Sequence, residues 1–410
     1  MKLIFINRFF HPDESATSLM LTDLVCGLDA PGVERLVITG KAGYTEEAAG
    51  MPEGLDGAKV LRLPSLPISN QSLFGRALNF IAFYCGLVVA GLAHIRRGDI
   101  VICLTDPPFS NVVVHFLSSL KRARVINWVQ DIYPETAARL GFGSESGWLV
   151  RLATRMRDRA WQGAAANVCI GETMRWHLAS HGAPKTRLHV IPNWADERAL
   201  TPLDADANPL RREWGFSSDD LIIGYSGNLG RAHDAATMLG AAKRLAAEGE
   251  TQIKFLFIGG GAKHALLSET ASEPDLAAIV QRRGYRPRSE LRASLSLPDV
   301  HWLSLEPELE GLIVPSKFYG AIAVGRPIIF IGDPEGEIAR LIRDANCGTS
   351  CSKGDVEGLI NFLLKLEADP DLVQRLGHNA RAYCERYLRQ ETRLLQWQRV
   401  IAQVGNSRSS

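Results

Sequence analysis

Residues 314–329 read VPSKFYGAIAVGRPII, and the expected fold can be worked out from there. The proline at position 315 suits the first turn of a helix, because its missing N–H and fixed φ cost nothing at that position. Gly325 ends the helical pattern, and Pro327 opens an apolar run that continues to Ile331. We therefore expect a helix over residues 314–324 that leads into a buried strand over residues 327–331, which is one unit of an α/β fold.

The same alternation continues in both directions from this stretch. The predicted strands are nearly all apolar, as parallel strands covered on both faces are. They are residues 3–7, 35–39, 100–104, 125–129, 167–170 and 189–191, then 221–225, 253–258, 279–282, 300–302 and 327–331. The helical patterns are residues 15–28, 109–123, 147–160, 171–181, 235–247, 263–269, 288–296, 314–324, 335–344, 355–368, 369–387 and 388–404. The predicted fold class is α/β, with two Rossmann-like halves.

A polar connector at residues 201–206 separates the two halves. We expect one domain over residues 1–198, a second over residues 199–387, and a helical segment over residues 388–410 that packs back across both. Two facing Rossmann-like domains place a ligand cleft at the carboxyl ends of their strands. Nucleotide-sugar glycosyltransferases, sugar-nucleotide epimerases and binding proteins that close on a small ligand all share that layout.

Composition narrows the class of protein. The 410 residues are 46% hydrophobic and 22% charged. This composition excludes a protein that is mainly disordered, collagen-like or coiled coil. With 46 Lys and Arg against 45 Asp and Glu, the chain gives no overall electrostatic reason to bind nucleic acid. The seven scattered cysteines are expected to be reduced, buried thiols. Cys347 and Cys351 lack a second Cys or His pair, so no metal site is predicted there.

Two glycine-rich loops follow predicted strands of the second half. Gly227 and Gly230 let the backbone approach a bound group, and Asn228, Arg231 and His233 complete a loop suited to a diphosphate. The alternative is an ordinary tight turn. The second loop, Gly259, Gly260 and Gly261, would allow close approach to a base or ribose, or it is a flexible connection.

The helix predicted over residues 314–324 brings further polar side chains. Ser316 and Lys317 would lie at its positive end, ready to hold a phosphate. Glu310 precedes the helix and could accept hydrogen bonds from sugar hydroxyls. After the strand at residues 327–331, the segment 332–337 starts another helix at a strand carboxyl end, so Glu337 joins the candidate donor-binding residues.

These motifs together resemble a known family. They are NRFFHPD at 7–13, SATS at 15–18, DIYPE at 131–135, IPNW at 191–194, GNLGR at 227–231, GGG at 259–261, PSKFYG at 315–320, AVGRPII at 323–329 and GHNARAY at 377–383. In this order the chain resembles the retaining glycosyltransferases of family four, which have the GT-B fold. The nearest resemblance is to bacterial members that assemble O-antigen and colanic-acid polysaccharides. The resemblance covers nearly the whole chain.

There is one departure from the family pattern. Most members carry two glutamates eight positions apart, and these positions hold Leu312 and Gly320 here. Glu310 is expected to take over the sugar-facing role of the first glutamate, while Ser316 and Lys317 serve the nucleotide end.

The resemblance implies transfer of a sugar from a nucleotide diphosphate, expected to be a UDP-sugar, with retention of the anomeric configuration. Arg231, Lys317 and helix N-termini near residues 230 and 316 would stabilise the leaving diphosphate. No metal or other cofactor is expected, since the cations neutralise the charge. No conventional base is implied either, because the leaving phosphate can take the acceptor proton.

The first domain would bind the acceptor. Asp131 is the first candidate to touch the reacting hydroxyls, unless it is a helix N-cap. Asp106 and Asp13 come next, and Ser15 and Thr17 belong to the same opening loop as Asp13. The expected acceptor is a saccharide on a polyprenyl diphosphate carrier.

A basic, apolar segment of the first half suggests a membrane surface as a partner. Residues 77–95 contain no charged side chain apart from a histidine, and residues 59–159 contain 13 Lys and Arg against 6 Asp and Glu. Arg151, Arg155 and Arg159 repeat every four residues beside apolar side chains, as in a basic amphipathic helix on anionic lipid, or as a solvated arginine face. A membrane span would break the first domain, so we expect a cytoplasmic protein, peripheral on the inner face of the cytoplasmic membrane.

Two alternatives remain at this point. A non-hydrolysing sugar-nucleotide 2-epimerase also has two Rossmann-like halves, but it would need acid–base carboxylates and a histidine near the sugar. A non-catalytic GT-B partner subunit is suggested by the missing second glutamate at Gly320.

Overall fold

A computed structural model describes residues 1–41, 54–66, 73–142, 147–249 and 252–406. Its contacts divide the chain into two compact units. The first contains residues 1–192, 311–313 and 391–410, and the second contains residues 193–310 and 314–390. The first unit thus ends at Pro192, before the residue 198 taken from the sequence.

The first unit is built on a parallel sheet. Its strands are β1 (Lys2–Ile6), β2 (Glu34–Gly40), β3 (Ala58–Leu63), β4 (Ile100–Leu104), β5 (Arg124–Val129), β6 (Ala166–Cys169) and β7 (Leu188–Val190), in the order β3-β2-β1-β4-β5-β6-β7. The order reverses at β1, which makes this a doubly wound sheet. The six predicted strands are confirmed, and the sequence missed β3, a partly exposed edge strand.

Helices cover this sheet. They are α1 (Ala16–Gly27), α2 (Leu73–His94), α3 (Ser110–Lys121), α4 (Glu135–Arg139), α5 (Trp148–Gly163) and α6 (Glu172–Ser180), followed by a 3₁₀ turn at Lys185–Arg187. The apolar stretch at residues 77–95 therefore forms most of one long helix, α2. By length and composition alone, α2 could cross a membrane, and 28% of its most apolar window is buried.

The second unit is a separate parallel sheet. Its strands are β8 (Leu221–Asn228), β9 (Ile253–Gly260), β10 (Val280–Arg283), β11 (Val300–Ser304), β12 (Ile328–Ile331) and β13 (Gly348–Cys351), in the order β10-β9-β8-β11-β12-β13. The five predicted strands are confirmed, and β13 at the sheet edge was missed.

The helices of the second unit, in chain order, are α7 (Pro209–Glu213), α8 (Ala236–Ala247), α9 (His264–Ala271), α10 (Leu291–Ser296), α11 (Lys317–Ala323), α12 (Glu337–Ala345), α13 (Val356–Ala368) and α14 (Pro370–Tyr387). Short 3₁₀ turns occur at Arg288–Glu290 and Pro307–Leu309.

The last helix, α15 (Gln390–Asn406), packs mainly on the first unit. Trp397 is fully buried, and its ring centre lies 4.7 Å from that of Trp128 on β5. Arg124 at the start of β5 donates to the carbonyls of Val404 and Gly405 near the end of α15. These contacts satisfy carbonyls that the helix itself leaves open.

One expectation about the cysteines was wrong. All seven lie in the described part of the chain and are free thiols, but Cys85 on α2 is exposed and Cys26 is only partly buried. An apolar helix with one face outside the core explains the exposure of Cys85.

Candidate active site

The candidate donor residues follow the carboxyl ends of four strands in the second sheet. The loop with Arg231 and His233 follows β8, and the glycine triplet ends β9. Glu310 and Lys317 come after β11, and Glu337 comes after β12. Because these strands are parallel neighbours, the four connections meet at one sheet edge, where doubly wound folds bind ligands.

Two of the predicted site residues, Lys317 and His233, lie side by side. The Lys317 Nζ lies 3.4 Å from His233 Nε2 and 5.2 Å from the centre of the Tyr225 ring. His233 Nδ1 donates to the Ser304 carbonyl over 2.6 Å. A carbonyl can only accept, so the proton of the neutral ring is on Nδ1 and Nε2 presents its lone pair to the ammonium.

Burial sets the charge of this pair. It lowers the pKa of Lys317 to about 8. Burial, with the nearby charge of Lys317, lowers the pKa of His233 to about 3. At neutral pH the site therefore holds a protonated lysine beside a neutral histidine. Because the ammonium has lost part of its hydration, an anion placed there would restore favourable interactions.

Glycines make this packing possible. Gly227 has φ +121°, and a Cβ there would lie 2.9 Å from Lys317 Cε. Gly259 and Gly261 have φ +125° and +132°. A Cβ on Gly259 would lie 2.4 Å from the carbonyl oxygen of Gly227 in β8, and a Cβ on Gly261 would lie 2.4 Å from that of Leu229, just after β8. Glycine is needed at these three positions because neighbouring segments of the polypeptide leave no room for a side chain. Gly230 is different, since a Cβ there would make only an ordinary contact with Asn228.

The helix N-terminus expected near residue 230 is that of the helix predicted over residues 235–247, which is present but not open to a ligand. Helix α8 begins at Ala236, and the Asp234 carboxylate accepts the N–H groups of Ala236 and Thr237. A carboxylate already occupies the positive end of this helix, so it is not free for a phosphate. That part of the prediction was wrong. Arg231 lies exposed in the loop before it.

Helix α11 also begins later than predicted. It starts at Lys317 rather than residue 314 and has seven residues, with Ser316 as its N-cap. The Ser316 side chain makes no capping hydrogen bond. Lys317 is therefore the first residue of the helix, at the carboxyl edge of the sheet.

Glu310 and Glu337 have partners within the protein. Glu310 Oε1 accepts the N–H of Glu337 at 2.9 Å, at the start of α12. Glu337 is 2% exposed and is ion-paired with Arg340. Glu310 thus acts as a cap for α12 in this structure, and its contact with a sugar stays a prediction.

Three further charged residues form a chain of contacts that begins at the His233 backbone, and none of them was assigned a role from the sequence. Lys263 donates to the His233 carbonyl and lies 3.4 Å from Glu306. Lys353 lies 2.7 Å from the other oxygen of Glu306. Lys263 could have been found from its place after the glycine triplet. Glu306 and Lys353 gave no local signal, because their pairing depends on the order of the strands.

In the first unit, Asp131 and Asp106 follow β5 and β4, which are neighbouring strands. Burial raises the pKa of Asp131 to about 7, and the charge of Asp106 adds to this. Burial raises the pKa of Asp106 to about 6, against the lowering effect of Arg8. The N–H of Asp131 donates to Thr105 Oγ1 over 3.1 Å. Helix α4 has Pro134 as its N-cap, so the alternative that Asp131 is a helix cap was wrong.

The opening-loop residues have mainly local contacts. Asp13 is 5% exposed, and its carboxylate accepts the N–H of Phe10. Ser15 is the N-cap of α1, with its Oγ accepting the N–H of Ser18 at 3.2 Å. Thr17 Oγ1 lies 3.3 Å from Ser15 Oγ. Ser15 is thus explained by helix capping, and an acceptor contact is still a prediction.

Among the described residues, Glu135, His177 and His181 form a group whose geometry could hold a metal ion. Arg157, however, is ion-paired with Glu135, and its guanidinium lies 3.3 Å from His181 Nδ1. The Arg157 guanidinium already neutralises the Glu135 carboxylate, and its positive charge repels a metal cation. We interpret the group as a buried ion-pair network.

Two family models cover most of the chain. A Glycosyl transferase 4-like domain matches residues 17–194, and Glycosyl transferases group 1 matches residues 206–383. The chain is a GT-B glycosyltransferase of family 4. The predicted family and fold class are confirmed, and the family sets the glycosyltransferase apart from the epimerases that share its layout.

Curated relatives agree with this assignment. A protein named as a probable glycosyltransferase, WbjE of Pseudomonas aeruginosa, is 28% identical over 72% of this chain and 73% of its own length. A protein of Escherichia coli named as a colanic acid biosynthesis glycosyl transferase, WcaI, is 25% identical over 97% and 98%.

Solved structures show the same fold at lower identity. HepE of Anabaena, solved in complex with UDP, is 15% identical, covers 98% of this chain and 100% of its own, and has a TM-score of 0.73. WaaG, a glycosyltransferase involved in lipopolysaccharide biosynthesis, is 14% identical with a TM-score of 0.69, covering 96% and 98%.

Proposed function

We propose that this glycosyltransferase moves a sugar from a UDP-sugar to a lipid-linked saccharide, with retention, in the synthesis of a cell-surface polysaccharide. The observation that carries the donor part is the partly buried Lys317 ammonium beside a neutral histidine at the carboxyl edge of the second sheet. UDP and UDP-glucose are bound in structures of HepE, which shares the fold. The name of WcaI supports the polysaccharide pathway.

In this proposal the second unit holds the diphosphate of the donor. Lys317 pairs with a phosphate oxygen, and His233 keeps the lysine oriented without adding a competing charge. Arg231, exposed in the adjacent loop, supplies a second cation. As the glycosidic bond breaks, negative charge grows on the diphosphate, and fixed cations stabilise it more in the transition state than in the ground state. No metal or other cofactor is required.

The first unit holds the acceptor. Asp131 and Asp106 lie partly buried at neighbouring strand ends, with pKa values raised to about 7 and about 6. At neutral pH the pair retains some protons, so it can both donate to and accept from acceptor hydroxyls. The leaving phosphate takes the acceptor proton, as the family resemblance implies.

We further propose that the enzyme works in the cytoplasm, peripheral on the inner face of the membrane. Helix α3 packs against both α2 and α5. These three helices expose large apolar side chains: Ile81, Val88, Val89 and Leu92, then Phe116 and Leu120, then Trp148, Leu149, Leu152 and Met156. Arg151, Arg155 and Arg159 are exposed on α5 beside them. Apolar and cationic side chains together fit a surface of anionic lipid.

The donor is tested by thermal shift with UDP-, GDP- and dTDP-sugars, followed by transfer to a lipid extract with and without EDTA. We expect a UDP-sugar to stabilise the protein and transfer to lipid to persist in EDTA. We also expect NMR to show that the product has the same anomeric configuration as the donor. Binding without transfer to any lipid acceptor would favour a non-catalytic partner subunit. An inverted product would contradict retention.

Membrane association is tested separately by sedimentation with vesicles of anionic phospholipid at low salt. We expect the wild type to bind and the Phe116→Ser/Leu120→Ser variant to bind much less. The matched control is Leu266→Ser/Leu395→Ser, which removes two exposed leucines outside these helices. Equal binding by all three proteins, or none by the wild type, would contradict the membrane proposal.

A further inference from the structure

A cavity of about 770 Å³ lies in the first unit, away from the candidate acceptor residues. Arg97 precedes β4, Arg124 begins β5 and Arg187 precedes β7, so the cavity is at the amino ends of these strands. Asp106 and Asp131 follow β4 and β5 at the opposite, carboxyl ends. The cavity is therefore separate from the acceptor site within the same unit.

The wall of this cavity is basic. Four arginines (Arg97, Arg122, Arg124 and Arg187) and two histidines (His115 and His189) line it, and none of the lining residues, all in the described part of the chain, is an aspartate or glutamate. Burial lowers the pKa of both histidines, so the positive charge near neutral pH comes from the arginines. Charge of one sign around a concave surface attracts anions.

Two of the arginines are fixed by backbone contacts. Arg124 donates to carbonyls at the end of α15, and Arg187 donates to the Ala164 carbonyl over 3.2 Å. The guanidinium groups of Arg97 and Arg122 are exposed and have no partner among the described residues. The Gly98 N–H donates to the Arg122 carbonyl over 3.3 Å, which ties together the two turns that carry them. The cavity thus combines a rigid wall with two cations available to a ligand.

Ser118 belongs to the same wall, but its hydroxyl is shielded from the cavity. The side chain is fully buried, and its Oγ has no hydrogen-bond partner in the described structure. The groups of this wall that can reach a ligand are therefore the arginines.

We infer that this cavity is a binding site for a phosphate group, distinct from the donor and acceptor sites of the proposed function. Arginine forks match phosphate oxygens with two parallel hydrogen bonds, and the volume suits a diphosphate or a phospholipid headgroup rather than a single small ion. Phe116 and Leu120, on the same helix as Ser118, are 68% and 63% exposed. Neither side chain lines the cavity, but both show that this helix has an exposed apolar face, so the phosphate belongs either to a soluble ligand or to a lipid headgroup.

The test uses the full chain and two probes, inorganic pyrophosphate by calorimetry and phosphatidylglycerol vesicles by sedimentation. The test variant is Arg97→Ala/Arg122→Ala. The charge-matched control is Arg212→Ala/Arg386→Ala, which removes two exposed arginines of the second unit. UDP is kept saturating in the calorimetry so that pyrophosphate cannot report the donor site.

We expect the test variant to lose about tenfold or more in affinity for at least one probe, while the control keeps wild-type affinity. Loss for pyrophosphate alone identifies a soluble ligand, and loss for vesicles alone identifies a lipid headgroup. Unchanged affinity of the test variant for both probes, or no binding of either by the wild type, overturns the inference without touching the donor proposal.

Discussion

Gly227→Ala should disturb the donor site by displacing the Lys317 side chain. The glycine has no side chain, so the substitution removes no side-chain contact of residue 227. The added Cβ would lie 2.9 Å from Lys317 Cε, below the range of real contacts, at φ +121°. Backbone strain of this kind costs about 1–3 kcal/mol. The lysine has to move away, and losing one preorganised cationic contact lowers the rate on the order of a hundredfold.

The matched control is Gly215→Ala, at another glycine of the second unit. Gly215 has φ +80°, and nothing lies within 4 Å of a Cβ built there. This variant therefore includes backbone strain but no collision with a site residue. Transfer from the donor found in the thermal-shift screen is measured for both variants, together with their thermal unfolding.

We expect Gly227→Ala to lose about a hundredfold in transfer rate and Gly215→Ala to keep most of it, although both are destabilised. Rates for Gly227→Ala close to those of Gly215→Ala would show that the position of Lys317 does not limit transfer.

Three other predictions follow from the described contacts. UDP binding should weaken as pH rises through about 8, because burial lowers the pKa of Lys317 to that value and the neutral amine no longer pairs with phosphate; a pH series of UDP dissociation constants checks this. Asp131→Asn should raise thermal stability at pH 8 and change it little near pH 4. The reason is that burial raises the folded-state pKa to about 7, so the ionised carboxylate destabilises the fold only at higher pH; melting curves from pH 4 to 8 test the sign. Trp397→Ala should lower the free energy of unfolding by about 3–5 kcal/mol, because this fully buried ring packs on Trp128; an unfolding titration showing less than 1 kcal/mol would contradict the packing role.

The buried strands were predictable from sequence and the edge strands were not. Every residue of β4 is buried, so its run of apolar side chains shows in the sequence. In β3 and β13 only one residue of each strand is buried, and both lie at sheet edges. Polar residues are tolerated in edge strands because one face or edge of the strand meets water. The hydrophobic pattern of the sequence therefore does not reveal such strands.

The site was predictable residue by residue but not contact by contact. Lys317 was identified from its motif, yet its neighbour His233 is 84 positions away and meets it only because β8 and β11 are adjacent. The helix predicted over residues 235–247 is present, but the expectation that its N-terminus near residue 230 holds the diphosphate failed for a local reason that the sequence does contain. Asp234 precedes the helical run as a capping residue, which places the helix start at Ala236.

In the proposed mechanism Lys317 binds the donor diphosphate, so UDP binding to Lys317→Ala is the decisive measurement. The control is Lys365→Ala, an exposed lysine on α13 of the same unit. Calorimetry at pH 7 should show UDP affinity reduced about tenfold or more for Lys317→Ala and unchanged for Lys365→Ala, because a charged hydrogen bond contributes about 1.5–3 kcal/mol. Equal UDP affinity of wild type and Lys317→Ala would show that Lys317 does not bind the diphosphate.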